Sequence, residues 1–428
     1  MNNYNFFILV FNNIYIGVLC TIISFIIYFF AMKSYFTSIL DPLFFAAVLS
    51  GFGFSVVMFL FVTKSIEIYF FLSYLLTQLL LYLGFVSGHK LWLSKSSLFV
   101  YKLGNYKDFL FIFFTVSLFI FIVLQLIVYK TAGIPLFMKS RLEAFAGGSG
   151  SGLISRFISV SEYCSLFMML IFIFDKNYSK KTIIKLLILL SFCFFIISAI
   201  LSGSKGSFLI LGYIFFCYSI MAGKRGTISS VFMRNEKKII CVAIFVAILV
   251  AGIQTNNWRG GFSTFIYRFV YAGDVYWSAY PNKSIDKLSG EHPWQALFTD
   301  FLGLTRIVPW KELPEAIGIN LFKMHQFTDT IQGPNARHNV FGYVYFGFLG
   351  SIFFSFVIGF MIGQIRKIFM ILKTKNILSI IFISYLYINI FGLEVDPMYA
   401  LSLFNSFLIV FPCLVFLSSL LYYSIKVR

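Results

Sequence analysis

The chain has 428 residues, of which 60% are hydrophobic and only 12% are charged. Soluble domains carry about 25% charged residues, so this composition excludes an ordinary soluble protein and indicates a lipid environment. The formal charge of +18 could suggest nucleic acid, but no basic domain with interleaved aromatic residues is present to bind it. We therefore expect no nucleic-acid partner and attribute the charge to contact with anionic membrane lipids.

Apolar runs long enough to cross a bilayer recur along the chain. Crossing about 30 Å of hydrocarbon takes about 20 apolar residues, and only helices or closed barrels satisfy the backbone there. The continuous runs favour helices, so the predicted fold class is all-α, a polytopic membrane bundle of about eleven transmembrane helices. The predicted spans are 8–31, 43–63, 67–86, 108–129, 157–174, 183–201, 207–222, 239–254, 339–363, 377–393 and 400–424.

These spans divide the chain into three segments: 1–254 with predicted helices one to eight, a long loop 255–338, and 339–428 with predicted helices nine to eleven. Lysine and arginine concentrate in alternate loops, and short loops rich in them stay in the cytoplasm. This pattern predicts a cytoplasmic C-terminus. It also predicts that the long loop and a shorter loop at about 131–156 both lie on the outer side.

The shorter outer loop carries Arg141, Glu143 and Arg156 around four glycines. Such glycines permit a mobile or tightly turned backbone. No strand precedes them and their spacing is not that of a P-loop. Both a flexible loop and a ligand-binding loop remain open.

The long outer loop is rich in tryptophan and arginine, and we expect it to form short helices over the outer ends of the bundle. Positive residues are disfavoured in short outer loops, and an anionic ligand would explain the arginines of this loop, because guanidinium groups grip phosphate bidentately. These arginines are Arg259, Arg268, Arg306 and Arg337. Pairing with Asp274 or with helix C-termini is the alternative for Arg259 and Arg268. Lys205, in a tight outer turn, could reach the same anion or extend to the membrane interface.

Arg337 and His338 are predicted to sit at the outer mouth of span nine. A histidine there can titrate near neutral pH and act as a general base; the alternative is a histidine that only satisfies the start of a helix. Gly342, Gly347 and Gly350 would let a neighbouring helix or a lipid chain pack closely against this span.

Four short motifs point to one protein family. They are Gly133-Ile-Pro135 with Arg141, Ser202-Gly-Ser-Lys205-Gly, Arg259-Gly-Gly, and His338-Asn339 followed by Tyr345-Phe-Gly347-Phe-Leu-Gly350. With the long outer loop, they resemble the Wzy O-antigen polymerases (oligosaccharide repeat unit polymerases) and the related O-antigen ligases. The arginine-x10-glycine pattern of the polymerases is not met by Arg259, Arg268 or Arg337.

This resemblance implies a GT-C-like glycosyltransferase of lipopolysaccharide biosynthesis, in the bacterial inner (cytoplasmic) membrane with its active site facing the periplasm. The donor would be a glycan chain on undecaprenyl diphosphate, and the acceptor a lipid-linked oligosaccharide repeat unit. A chain-length regulator of the Wzz type is the expected protein partner. No DxD-type acidic pair stands in an outer loop, so we expect no metal ion and no other cofactor.

The resemblance also implies roles for individual residues. His338 would be the catalytic base, with Glu143, Asp274 or Asp300 as alternatives. The diphosphate would be bound by Arg259, Arg268, Arg337 and Lys205. Substrate would be bound by Arg141, Arg156, Glu143, Asp274 and Asn339. Glu394 and Asp396, in the turn between spans ten and eleven, could bind sugar hydroxyls, but a hydrated turn is the favoured interpretation.

Two rival functions remain. An O-antigen ligase-type glycosyltransferase would share the same chemistry. A polysaccharide flippase or other transporter belongs to a different class, which usually shows repeated halves and buried charges at mid-membrane. The predicted spans hold few charges, Glu162 being the clearest exception, and no internal repeat is evident. The sequence therefore favours the polymerase.

Overall fold

The computed structural model describes residues 1–91, 106–138, 151–174, 182–203, 207–222, 228–255, 257–326, 332–372 and 376–427. Within these ranges every regular element is a helix. Nine of the described helices are long and apolar enough to cross a membrane. The protein is therefore a multi-pass helical membrane protein, as its composition predicts.

Two of the eleven predicted spans are not among these nine. The predicted span 207–222 coincides with a shorter apolar helix, Phe208–Met221. The predicted span 239–254 lies within the helix Ile228–Thr255. Both segments are helical, and their crossing of the membrane stays a prediction.

The helices are numbered here in chain order. They are α1 (Asn3–Asn12), α2 (Ile14–Met32), α3 (Pro42–Val62), α4 (Ile68–Lys90), α5 (Lys107–Thr131), α6 (Ser151–Phe174), α7 (Thr182–Leu201), α8 (Ser207–Ala222), α9 (Ile228–Thr255), α10 (Trp258–Val270), α11 (Asp274–Ala279), α12 (Pro293–Leu297), α13 (Thr299–Leu304), α14 (Ile317–His325), α15 (His338–Ile371), α16 (Ile377–Asn389), α17 (Gly392–Val395) and α18 (Pro397–Val427).

The chain forms two compact units. The first consists of Met1–Trp92, Ser263–Ile368 and Asn389–Ser402, and the second of Leu93–Phe262, Phe369–Ile388 and Leu403–Arg428. These units group residues in space, whereas the three predicted segments follow the order of membrane crossings along the chain.

Aromatic side chains form the interior of the second unit. Phe113 of α5 and Phe167 of α6 are fully buried. Tyr385 of α16 stacks on Phe407 of α18 with ring centroids 3.9 Å apart, and such aromatic pairs add stabilisation beyond the area they bury.

Glycines allow α4 and α15 to cross at very short range in the first unit. Each helix carries a pair of glycines four residues apart, Gly84 and Gly88 on α4, Gly359 and Gly363 on α15. A Cβ atom on any of the four would overlap backbone atoms of the opposite helix. Reciprocal small-xxx-small faces of this kind bring transmembrane helix backbones together. The glycines predicted for close packing of span nine, Gly342, Gly347 and Gly350, do not form this crossing, because the nearest atoms to a Cβ there belong to α15 itself or are absent within 4 Å.

The helix α15 is not one straight rod. Gly347 has φ 70° and ψ −174°, a conformation that is essentially restricted to glycine. A Cβ atom on Gly342 would lie 3.0 Å from the Cα of Ser351, although nine helical residues span about 13 Å. The chain therefore reverses direction, and residues 338–346, the re-entrant arm, fold back along residues 348–371, the spanning arm.

The long loop also folds into the first unit rather than only covering it. Its helix α11 is buried, with Tyr276 and Trp277 fully inaccessible. A Cβ on Gly53, in the middle of α3, would lie 3.3 Å from the ring of Tyr276. The prediction of short helices is confirmed. Their predicted position over the bundle ends is wrong for α11, because this helix packs against the middle of α3.

Candidate functional site

The guanidinium group of Arg337 binds three segments of the first unit together. Arg337 has a left-handed φ of 41°, and its side chain contacts α3. Its Nε donates to the carbonyl oxygen of Ala272 at 2.9 Å. Its Nη2 donates to the carbonyl oxygen of Leu49 at 3.2 Å, and its Nη1 to the Oγ of Ser50 at 3.4 Å. Most of its donors are therefore engaged within the protein.

Glu394 is the ion-pair partner of Arg337. The Nη1 of Arg337 lies 3.7 Å from the Oε1 of Glu394, and the two side chains are 3% and 9% exposed. The hydroxyl of Ser50 donates to the same carboxylate oxygen. The favoured interpretation of Glu394 as part of a hydrated turn is thus wrong, because a buried arginine compensates its charge inside the unit.

His338 lies beside this pair and is fully buried. Its Nδ1 is 3.2 Å from the backbone carbonyl oxygen of Glu394. A carbonyl oxygen only accepts, so Nδ1 carries the proton, and in the neutral imidazole Nε2 holds a free lone pair. That Nε2 atom is buried without a hydrogen-bond partner among the described residues. The predicted position at the outer mouth of the span is wrong, since His338 starts the re-entrant arm inside the unit.

Asn339 presents a second unsatisfied atom next to His338. Its Oδ1 accepts from the hydroxyl of Tyr276 at 3.1 Å and from the backbone N–H of Val340 at 3.1 Å. Burial raises the pKa of Tyr276 to about 12, so its hydroxyl remains a donor. The Nδ2 of Asn339 is buried and has no partner within the described part of the chain. Such orphaned buried groups are rare and call for a ligand or an ordered water.

Asp274 contributes a titratable carboxyl group at the start of α11. Burial raises its pKa to about 7, while the positive charges of Arg337 and Arg268 oppose this shift. Arg268 is exposed on α10 and acts on this carboxylate through its field. Arg268 thus influences Asp274 electrostatically, and the direct ion pair predicted as its alternative stays a prediction.

An apolar cavity of about 300 Å³ adjoins this cluster and is lined mainly by α2, α3 and α4. Its walls are aliphatic and aromatic for most of its length. Ser50 and Glu394, which belong to the Arg337 cluster, also border it and define what we call its polar end. Tyr28, Tyr74 and Gln78 are further polar residues of its lining. Ser50 follows Asp41, the N-cap of α3, by nine residues, or about 13 Å of helix. The polar end therefore lies near the middle of α3.

The remaining predicted site residues belong to the second unit or lie outside the described residues. Arg259 is exposed on the part of α10 that belongs to the second unit, and Arg156 is buried on α6 of that unit. Arg141, Glu143 and Lys205 lie outside the described residues. Of the residues predicted to act on substrate, the structure brings together Arg337, His338, Asn339 and Asp274.

Ser50 and Tyr276 were not predicted as site residues from the sequence. Glu394 was expected in a hydrated turn, but it is buried and paired with Arg337. Ser50 precedes its partner Arg337 by 287 positions, and no local pattern links them. A signal was present for Glu394, because a carboxylate within an otherwise apolar stretch is expensive unless it is paired.

Comparisons with known proteins add no identification. No family model, no curated protein and no solved structure matches this chain.

Proposed function

We propose that this protein is a surface-polysaccharide polymerase of the O-antigen type. It would join oligosaccharide repeat units carried on undecaprenyl diphosphate, at the periplasmic side of a bacterial inner membrane. A GT-C-like arrangement of eleven spans and a Wzz-type chain-length regulator belong to the same proposal.

The observation that carries the proposal is the hydrogen bonding of the two ring nitrogens of His338. Its Nδ1–H is committed to the carbonyl oxygen of Glu394, and its Nε2 is buried with no partner among the described residues. A general base needs an available lone pair held in a fixed orientation. An ordered water is the alternative partner for Nε2, and the neighbouring cation of Arg337 and the unsatisfied Nδ2 of Asn339 favour a substrate.

The cations support a reaction in which negative charge develops. When the bond between the anomeric carbon and the diphosphate breaks, the leaving group gains charge, and preplaced positive groups stabilise it most where water is scarce. Arg337 is fixed by four protein acceptors beside His338. Exposed Arg268 is the more accessible contact for a phosphate, while Arg337 supplies a fixed field and holds Glu394 in place.

The proposed step balances as a group transfer. A hydroxyl oxygen of the acceptor's terminal sugar forms a bond to the anomeric carbon of the donor glycan. The bond from that carbon to the diphosphate oxygen breaks, and undecaprenyl diphosphate leaves with the electron pair. The hydroxyl proton passes to the Nε2 of His338. Asn339 Nδ2 would donate to a sugar oxygen, which would satisfy both orphaned atoms at once.

A ligase-type transferase would use the same groups and differ only in its acceptor. A lipid-linked polysaccharide transporter is the second candidate from another class. One observation favours it: the ion pair of Arg337 and Glu394 is buried close to the middle of α3 and borders a cavity. Intramembrane charges of this kind are common in transport pathways.

Surface polysaccharide from a strain lacking the gene separates these functions on a gel. A polymerase predicts that the null strain displays glycans of a single repeat unit, and that the wild-type gene restores a ladder. A transporter predicts loss of the single-unit glycan as well. A ligase predicts long polymer that stays on undecaprenyl diphosphate. A full ladder on the surface of the null strain would contradict all three.

A further inference from the structure

The cavity between α2, α3 and α4 is a distinct feature that the catalytic proposal leaves unused. Along α4 its lining extends from Tyr74 to Tyr82, eight residues or about 12 Å. Small side chains on the facing helices, Ala31, Ala46 and Ala47, provide the room. The cavity is therefore elongated along the helices.

The cavity adjoins the surface that faces lipid. The window that qualifies α2 as a membrane span is only 11% buried within the protein. Two lining residues, Ile27 on α2 and Leu79 on α4, are 48% and 50% exposed. A hydrocarbon chain could thus enter from the bilayer between α2 and α4 without crossing water.

The polar end of the cavity is shared with the candidate site. Glu394 borders the cavity, and its backbone carbonyl oxygen accepts the Nδ1–H of His338. Ser50 borders the cavity and contacts both Arg337 and Glu394. A chain lying in the cavity would end beside the residues proposed to handle its headgroup. This continuity favours the substrate's own chain over a bulk phospholipid.

We propose that this cavity binds the polyprenyl chain of the lipid-linked donor. The inference rests on the proposed function and assigns it a substrate subsite made of α2, α3 and α4. The apolar walls supply van der Waals packing contacts, because a chain that arrives from the bilayer is already out of water and gains no hydrophobic transfer free energy. The polar end sets how far the chain can advance.

Variants that fill the cavity test this subsite on the purified full-length protein. Ala47→Leu adds volume from α3 and Ala31→Phe adds it from the lipid-exposed helix α2. Val18→Phe, at a 54% exposed position of α2 outside the cavity, is the matched control. Native mass spectrometry measures the binding of undecaprenyl phosphate, with phosphatidylglycerol as the comparison lipid.

We expect both filled variants to bind undecaprenyl phosphate about ten-fold more weakly than wild type, a loss of about 1.4 kcal/mol, because the added side chains occupy volume that the chain would fill. Val18→Phe should bind as wild type does. Unchanged binding in Ala31→Phe overturns the inference, and this surface variant decides the matter if Ala47→Leu fails to fold. Equal binding of phosphatidylglycerol, lost in the same variants, also overturns it by marking a bulk-lipid site.

This binding measurement tests the lipid site independently of the polymerase proposal. If the filled variants lose the lipid while the null strain keeps a full ladder, the polyprenyl site stands and polymerase function falls. If the ladder depends on the gene while the filled variants still bind the lipid and support polymerisation, only the subsite assignment falls.

Discussion

His338 and Glu394 are joined by the 3.2 Å contact between the histidine Nδ1 and the glutamate carbonyl oxygen. The carboxylate of the same glutamate pairs with Arg337, the residue that precedes the histidine. The backbone carbonyl of Glu394 thus orients the imidazole of His338, and the side chain of Glu394 holds the guanidinium group of Arg337. Disturbing the ion pair should therefore displace the proposed base.

Removing the arginine of this pair should destabilise the protein strongly. Arg337→Met leaves the carboxylate of Glu394 buried without its cation, which typically costs about 3–5 kcal/mol. Lys323→Met is the matched control, because it breaks the exposed pair with Glu315, and exposed pairs contribute about 0–1 kcal/mol. Thermal unfolding in detergent measures both. Equal unfolding temperatures for the two variants would contradict a buried, mutually dependent pair.

The crossing of α4 and α15 should not tolerate a methyl group. Gly359→Ala places its Cβ against the backbone of Leu81, so the helices must separate, and we expect a lower unfolding temperature and less folded protein. Gly152→Ala is the control, since a Cβ there meets nothing within 4 Å. Size-exclusion profiles after heating compare the two, and a Gly359→Ala protein as stable as the control would argue against the close crossing.

The reversal at Gly347 should require glycine for conformational reasons alone. No atom lies within 4 Å of a Cβ built there, but φ is 70°, so Gly347→Ala is strained by about 1–3 kcal/mol. Gly17→Ala, in a helix with ordinary contacts at 3.9 Å, is the comparison. We expect a lower unfolding temperature and reduced polymer for Gly347→Ala only. Wild-type behaviour of that variant would mean that residues 338–348 do not adopt this reversal.

Stability should fall as pH rises from about 4 to about 7 through the carboxyl group of Asp274. Its pKa in the folded protein is raised to about 7, so the folded state binds more protons than the unfolded state in this window, and deprotonation opposes folding. Asp274→Asn should reduce this pH dependence and cost nothing at pH 8. Glu312→Gln, at an exposed position, should leave it unchanged. An identical pH slope in Asp274→Asn and wild type would contradict the shift.

The sequence alone predicts a membrane protein, because the hydropathy of a window depends only on the residues within that window. Long apolar windows predict spans whatever lies beside them, and nine such helices are present in the described residues. Hydropathy does not show where the chain reverses its direction. A window over His338–Ile371 cannot distinguish one long span from a re-entrant arm followed by a span, and that distinction places His338 inside the unit.

The site was only partly predictable for the same reason. Arg337, His338 and Asn339 are adjacent in sequence and were predicted together. Their partners come from distant segments, with Ser50 on α3, Asp274 and Tyr276 in the long loop, and Glu394 on α17. Pairing of this kind depends on tertiary contacts, so a hydrated turn was the reasonable but wrong expectation for Glu394.

The most direct measurement is the ratio of polymer to single-unit glycan in the null strain complemented with His338→Gln at matched membrane levels. His292→Asn is the control, because it changes a histidine in the long loop whose left-handed backbone, with φ 57°, asparagine tolerates. If His338 is the base, His338→Gln lowers polymerisation about 10²- to 10⁴-fold and single units accumulate, while His292→Asn restores the ladder. A full ladder from His338→Gln would contradict the catalytic role of His338.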